Sequence, residues 1–282
     1  APQAGIPDKK GQWENADRQA QIIPDPNKKL HPGLCVPPCD GPAEKEQKIA
    51  VYGLPAVLGF SIMKVKILFN SKKGWARGIA REVKRWLEEE GQTIVERREE
   101  ICFVVGGDGT IFYYKDEIDG AVFGIGGPWS KLCHANRRNW KNVLGASRGK
   151  FIKEARVALS ASINGKLAGW AINDVVVHSR THNFIDLAVR AGGRKMDFGG
   201  DGVIIATPMG STGYAYSAGG KKMKTCAKEV GIVPICPYLR IVKPHAVWAK
   251  QKISISAVGA ADLVLDGQKI IKLKTGDRVD VA

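Results

Sequence analysis

Hydrophobic and polar positions follow one pattern up to about residue 152 and another beyond it. In the first part, apolar runs alternate with a helical period. Met63 leads into Lys64-Val65-Lys66-Ile67-Leu68-Phe69-Asn70, which reads as a first strand. Trp75, Ile79, Val83, Trp86 and Leu87 then recur at helical intervals over 74–90, with charges opposite and Gly91 as the stop. Residues 101–105 and 121–125 are continuously apolar, as in strands covered on both faces, which predicts a parallel sheet layered by helices. In the second part, Val157, Leu159, Ala161 and Ile163 alternate with smaller or polar residues, Asn164-Gly165 marks a hairpin turn, and a return strand runs through Ala168, Trp170 and Ile172. Further strands are expected at 174–178, 184–190, 202–206, 252–257, 263–265, 270–273 and 278–281. The expected fold class is α/β plus all-β: residues 63–152 as a doubly wound α/β domain carrying a Gly-Gly-Asp-Gly-Thr loop, and residues 153–282 as an antiparallel β domain. Residues 1–62, with Pro2, Pro7, Pro24, Pro26, Pro32, Pro37, Pro38 and Pro42 among charges and amides, read as a weakly structured N-terminal extension.

The polar residues that interrupt these patterns carry the candidate chemistry. Phe103-Val104-Val105-Gly106-Gly107-Asp108-Gly109-Thr110 is a strand that ends in a carboxylate flanked by glycines. In open α/β sheets ligands bind at that end of the strands, and glycine lets backbone N–H groups approach phosphate oxygens. Asn173-Asp174 stands directly before Val175-Val176-Val177, and Asp201-Gly202 before Val203-Ile204-Ile205-Ala206. The segment 207–220 is rich in glycine and hydroxyls, suited to a nucleotide's base edge and sugar, with Tyr214 as a stacking face. Asp266-Gly267 reads first as a hairpin turn. A GxGxxG dinucleotide fingerprint is absent from the α/β turns, 145–151 is one residue short of a P-loop and has Phe151 where a hydroxyl is needed, and no GxSxG elbow appears.

The formal net charge of +15 implies polyanionic partners, with phosphorylated small molecules, nucleic acid and acidic membrane surfaces as the candidates. Basic residues are scattered and no nucleic-acid-binding signature is present, so no specific nucleic-acid partner is expected. No apolar stretch reaches the length of a membrane span, so no membrane partner is expected either. Cys35, Cys39, Cys102, Cys133, Cys226 and Cys236 form neither a CxxC pair nor a disulfide framework, which fits a reducing, cytoplasmic setting. Cys35 and Cys39 lack a second ligand pair for zinc.

Taken in order and spacing, Gly106-Gly107-Asp108-Gly109-Thr110, Asn173-Asp174-Val175-Val176, Gly200-Asp201-Gly202, the segment 207–220 and Asp266-Gly267-Gln268 resemble the NAD kinases. The resemblance spans roughly residues 63–282. It implies transfer of the γ-phosphoryl of ATP, or of polyphosphate, to the 2′-hydroxyl of the adenosine ribose of NAD, with Mg²⁺ or another divalent cation and no protein-only metal site. It further implies a homodimer or homotetramer. Asp108 matches the proton acceptor, Gly109 a neighbouring substrate contact, and Gly106, Gly107, Gly109 and Thr110 the phosphate-binding turn. Asn173 and Asp174 match the pair that holds NAD, and Asp201 the carboxylate for the second half of the dinucleotide. Thr212, Gly213, Tyr214, Ala215, Tyr216 and Ser217 match the adenine-side loop, and Gln268 a further nucleotide contact. Gly213 replaces the usual alanine, Tyr238 a usual histidine, and the turn at 126–132 has an archaeal look. The alternatives are a lipid kinase sharing the Gly-Gly-Asp-Gly-Thr loop, and a non-catalytic nucleotide-binding protein.

Overall fold

The computed structural model describes residues 49–53, 62–147 and 152–282. Cys35, Cys39, residues 148–151 of the truncated P-loop-like turn and most of the segment read as an extension therefore lie outside the described residues. Within that segment, however, Ile49–Gly53 forms a strand, β1. It pairs parallel to β5 (Ala121–Gly126) and antiparallel to β7 (Ile152–Arg156), so the first sheet draws on chain from both sides of the expected 63–152 boundary. The remaining strands of this sheet are β2 (Lys64–Phe69), β3 (Thr93–Ile94), β4 (Ile101–Val105) and β6 (Ala135–Asn136), in the order β3-β2-β4-β5-β1-β7 with β6 beside β5.

The continuous apolar runs follow from burial on both faces. In β4, Ile101, Phe103 and Val105 face α1 (Gly74–Glu89) and α3 (Trp140–Ser147), packing with Ala80, Val83, Leu87, Trp140 and Leu144. Cys102 and Val104 face the other way, onto Ile111 of α2 (Asp108–Tyr114) and onto Ile172, Trp170 and Met209 of the β region. One face of the parallel sheet is thus covered partly by the β region itself, and this seam is apolar. Helix α1 ends as expected: Gly91 takes φ 74°, and the N–H of Gln92 returns to the carbonyl of Leu87.

The second region is two antiparallel six-stranded sheets. One consists of β10 (Asp174–Ser179), β13 (Gly202–Ala206), β14 (Glu229–Ile235), β15 (His245–Trp248), β17 (Ala261–Leu265) and β18 (Lys269–Lys272), in the order β15-β14-β13-β10-β17-β18. The other consists of β8 (Leu159–Ile163), β9 (Lys166–Ala171), β11 (Ile185–Ala191), β12 (Arg194–Gly200), β16 (Ile253–Val258) and β19 (Arg278–Val281), in the order β12-β11-β16-β19-β8-β9. Val175, Val177, Val203 and Ile205 point between the sheets with Leu187, Val189, Ile255 and Val279. Val176, Ile204 and Ala206 point outward and are covered in turn by Ala215 of α4 (Tyr214–Ser217). That second covering explains why β10 and β13 read as unbroken apolar runs although their sheet is antiparallel.

The sequence pattern does not mark β12, β14, β15 or α3. In β14 the sequence Glu-Val-Gly-Ile-Val-Pro-Ile contains Pro234, which argues against a central strand. The neighbouring β15 pairs only with residues 229–232 of β14, so Pro234 lies where that edge is free and its missing N–H costs no ladder bond. β12 is an edge strand and needs no apolar alternation. The Asn164-Gly165 and Asp266-Gly267 turns take positive φ at all four residues, as hairpins of that composition require.

Ile172, 2% exposed in the seam, is the residue whose truncation tests this packing. Ile172→Ala is expected to cost about 2–4 kcal/mol. Urea denaturation would show this as a lower midpoint at unchanged slope, and a loss below about 1 kcal/mol would mean the seam is not close-packed.

Candidate active site

At the carboxyl end of β4 the backbone turns through Gly106 (φ 152°) and Gly107 (φ 97°), and Asp108 opens α2. A side chain at Gly106 would meet the Thr110 hydroxyl and Asn70, and one at Gly107 would meet the Ser130 hydroxyl at 2.9 Å. The Lys73 ammonium donates to the Gly106 carbonyl at 2.5 Å. A cation therefore stands beside backbone that carries no Cβ, which is a setting for phosphate oxygens. The Asp108 carboxylate accepts from the N–H of Lys131 at 2.8 Å and of Leu132 at 3.1 Å, and from the Cys133 thiol at 3.6 Å. Burial first, and then the Asp108 charge, push the Cys133 thiol up to about 12, so it stays protonated and donates. Thr110 is 3% exposed and its hydroxyl faces Asn70, behind the turn. The structure thus gives Thr110 a packing position rather than the phosphate contact expected of it, while Gly109 is open to solvent.

The second corner is built around Asp266, which the sequence marks as a turn residue and as part of the Asp266-Gly267-Gln268 motif, with no inward role. Its side chain points inward, 6% exposed, and accepts from the N–H groups of Ile172 (3.0 Å), Asn173 (2.7 Å) and Asp174 (3.3 Å). Its own N–H returns to the Asp174 carbonyl. The Asp174 carboxyl, also 6% exposed, makes no hydrogen bond among the described residues. Burial and then the neighbouring Asp266 charge push it up to about 7. Asp266 is raised by burial too, but its three N–H donors and the Lys115 charge work against that shift, so of the two carboxyls Asp174 takes the proton. Lys115 is itself buried, at the carboxyl end of α2, with its ammonium 5.1 Å from the centre of the Trp170 ring.

The segment after β13 divides its hydroxyls between inside and outside. The Thr207 hydroxyl donates to the Ile172 carbonyl at 2.6 Å and accepts from the Gly210 N–H. The Ser211 hydroxyl donates to the Pro208 carbonyl and accepts from the Met223 N–H. The first ties the loop to the residue before β10 and the second closes the loop on itself. Gly210 lies so close that a Cβ there would stand 2.1 Å from the Asn173 carbonyl oxygen. Thr212, Gly213, Tyr214, Tyr216 and Ser217 remain outside, whereas Ala215 is 2% exposed with its methyl in the core. Tyr216 lies against Lys222, whose ammonium is 4.3 Å from the ring centre. The Tyr214 hydroxyl is pushed up by burial and then by the charges of Cys236, Asp174 and Asp201. Asp201 also pushes the Cys236 thiol up. Gln268 sits exposed at the hairpin turn with its N–H on the Leu265 carbonyl, and its side chain makes no hydrogen bond among the described residues.

The Lys131 ammonium joins the two corners. It donates to the Thr212 carbonyl at 3.5 Å while its own N–H holds Asp108. Asp108, beside the parallel sheet, is thereby linked through Lys131 to Thr212, in the loop that packs on Asn173 at the start of the β region. Residues 172–282 match the family model of the ATP-NAD kinase C-terminal domain. The NAD kinase of Archaeoglobus fulgidus is 33% identical over 219 residues, covering 74% of this chain and 86% of that protein. The NAD kinase of Methanospirillum hungatei is 30% identical over 194 residues, covering 66% and 72%. The chain belongs to the NAD kinase family.

Solved NAD kinase structures agree with the fold. One from Archaeoglobus fulgidus, in complex with ATP, superposes with a TM-score of 0.67 at 28% identity over 78% of this chain and 89% of that one. A yeast NADH kinase complexed with NADH gives a TM-score of 0.70 at 20% identity, a likeness of fold. Of the NAD kinase of Methanocorpusculum labreanum, 32% identical, the chain spans 65% of the length. Family membership sets aside the lipid-kinase reading. Among the described residues no three of His, Cys, Asp and Glu are grouped to hold a metal ion.

The state of Asp174 has a measurable sign. Its carboxyl is raised in the fold, so its contribution to stability is fully present below about pH 4 and is lost as pH rises through about 7. Asp174→Asn removes that loss. The stability difference between variant and wild type, from thermal or urea unfolding, is expected to shift in the variant's favour by about 2–4 kcal/mol from pH 4 to pH 8. A difference that does not change with pH would mean the carboxyl is not strained by burial.

Proposed function

We propose that this chain transfers the γ-phosphoryl of ATP, or of polyphosphate, to the 2′-hydroxyl of the adenosine ribose of NAD, giving NADP. The observation that carries this reading is the link from Asp108 through Lys131 to Thr212, in the loop that packs on Asn173, in a member of the NAD kinase family. A sugar hydroxyl is a weak nucleophile. It must be aligned with the phosphoryl group, and it gives up its proton as the new bond forms. Asp108 stands where β4 delivers it and accepts that proton. Asn173 and Asp174 hold the ribose and its neighbouring phosphate. Asp174, near the midpoint of its titration at neutral pH, can accept from a hydroxyl or donate to an oxygen. Tyr214 offers its ring to the adenine, and Asp201 faces the remaining half of the dinucleotide. Lys73 and the Gly106-Gly107 backbone take the phosphates of the donor.

Magnesium is proposed to arrive with the nucleotide, whose phosphates supply most of its ligands, and the Asp108 carboxylate provides one hard oxygen donor of the kind it binds. Bound there, the ion neutralises charge on the phosphoryl group. We further propose a homodimer or homotetramer in the cytoplasm. Self-association is supported by the exposed apolar group of Phe184, Tyr238, Leu239 and Ile241, in which the first two rings stack 6.2 Å apart.

Incubation with NAD, ATP and Mg²⁺, followed by an NADP-specific dehydrogenase assay, is expected to show NADP, and to show none once EDTA has removed the divalent ion. Asp108→Asn is expected to lower kcat by about 10²- to 10⁴-fold while NAD still binds. A variant with near-normal kcat would remove Asp108 from proton transfer.

A further inference from the structure

Strands β12 and β15 are edges of the two facing sheets, and a groove of about 450 Å³ lies between the start of β12 and the segment leading into β15. Arg194, Lys195 and Lys243 line it as cations, with His245 beside them. All three cations are exposed, and none is in an ion pair among the described residues. The nearest acid on β12, Asp197, is taken by Arg190. The Nε2 atom of His245 is buried and has no hydrogen-bond partner among the described residues. Leaving such an atom unpaired is costly, and His245 is one of the residues that line the groove. Met196 and Val242 pack on the core beneath and give the groove a firm floor.

This groove is separate from the catalytic cleft. β12 runs from Arg194 at the groove to Gly200, which presses on the backbone of Cys236 and Pro237 beside Asp201. Six residues of strand put roughly 20 Å between the two. We propose that the groove is a second anion site, built for a compact oligophosphate carrying at least two phosphoryl groups. Three unpaired cations around one concavity call for a ligand of comparable charge. A guanidinium grips a phosphoryl group by two parallel N–H bonds while the two ammoniums act as point charges on the next. A polynucleotide fits less well, because no Phe, Tyr or Trp side chain lines the groove to stack on a base.

Calorimetric titration of the full chain with inorganic tripolyphosphate at about 0.1 M salt tests the proposal. The wild type is compared with the triple variant Arg194→Ala/Lys195→Ala/Lys243→Ala and with Lys73→Ala, which disables the phosphate corner of the catalytic cleft. The triple variant is expected to bind about tenfold more weakly or worse, with Lys73→Ala binding at this site as the wild type does. In NMR spectra of the wild type the His245 ring signals are expected to move on titration. NADP formation from NAD and ATP by the triple variant is expected to stay within about twofold of wild type, since these side chains lie outside the cleft. Equal binding by the triple variant, loss of all binding in Lys73→Ala, or His245 signals that do not move would each overturn the assignment. So would a single-stranded RNA that binds through the same residues while tripolyphosphate does not.

Discussion

The arrangement at the cleft depends on one buried carboxylate, that of Asp266, collecting the N–H groups of Ile172, Asn173 and Asp174. These three amides leave one sheet just as the chain enters another, where no ladder partner is available. Without an acceptor each would be an unpaired buried donor at a cost of about 1–3 kcal/mol. The carboxylate solves that problem and at the same time fixes the start of β10. It also sets the electrostatics, because a second carboxyl beside an anion already satisfied by three donors must be the one to hold the proton. Asp174 owes its perturbed state to Asp266 as well as to burial.

From that point the two regions are joined by short, identifiable links. Ile172 enters the apolar seam with Cys102, Val104 and Ile111 on one side. Its carbonyl accepts the Thr207 hydroxyl on the other, so the long loop after β13 is fastened to the same residue. Lys115 carries a positive charge from the end of the Asp108 helix toward Asp266. Asp108 in turn holds the turn after β5 by its N–H groups, and Lys131 in that turn reaches back to the loop at Thr212. A ligand that bonds Asp108 competes with those N–H groups, so its binding is coupled to the position of the turn.

Much of this was legible in the sequence because glycine, β-branched runs and carboxylates carry local signals. The abrupt end of an apolar run in Gly106-Gly107-Asp108 located the first corner, and Asn173-Asp174 and Asp201 before apolar triplets located the second. What was not legible depended on tertiary partners. Asp266 sits in an Asp-Gly turn, whose local meaning is complete without any inward role. Thr110, Thr207 and Ser211 look like ligand-binding hydroxyls until their partners Asn70, Ile172, Pro208 and Met223 are known. Ala215 falls within a loop of exposed residues yet faces the core, since the four-residue α4 turns that one position inward. Pro234 hid β14, and only the early end of β15 explains its presence there.

A crystal structure of the chain with NAD bound tests the central claim most directly. The account predicts the adenosine ribose between Asp108 and the Asn173-Asp174 pair, with its 2′-hydroxyl within hydrogen-bond distance of the Asp108 carboxylate and the adenine against Tyr214. A dinucleotide seated elsewhere, or one whose adenosine ribose touches neither carboxylate, would contradict it.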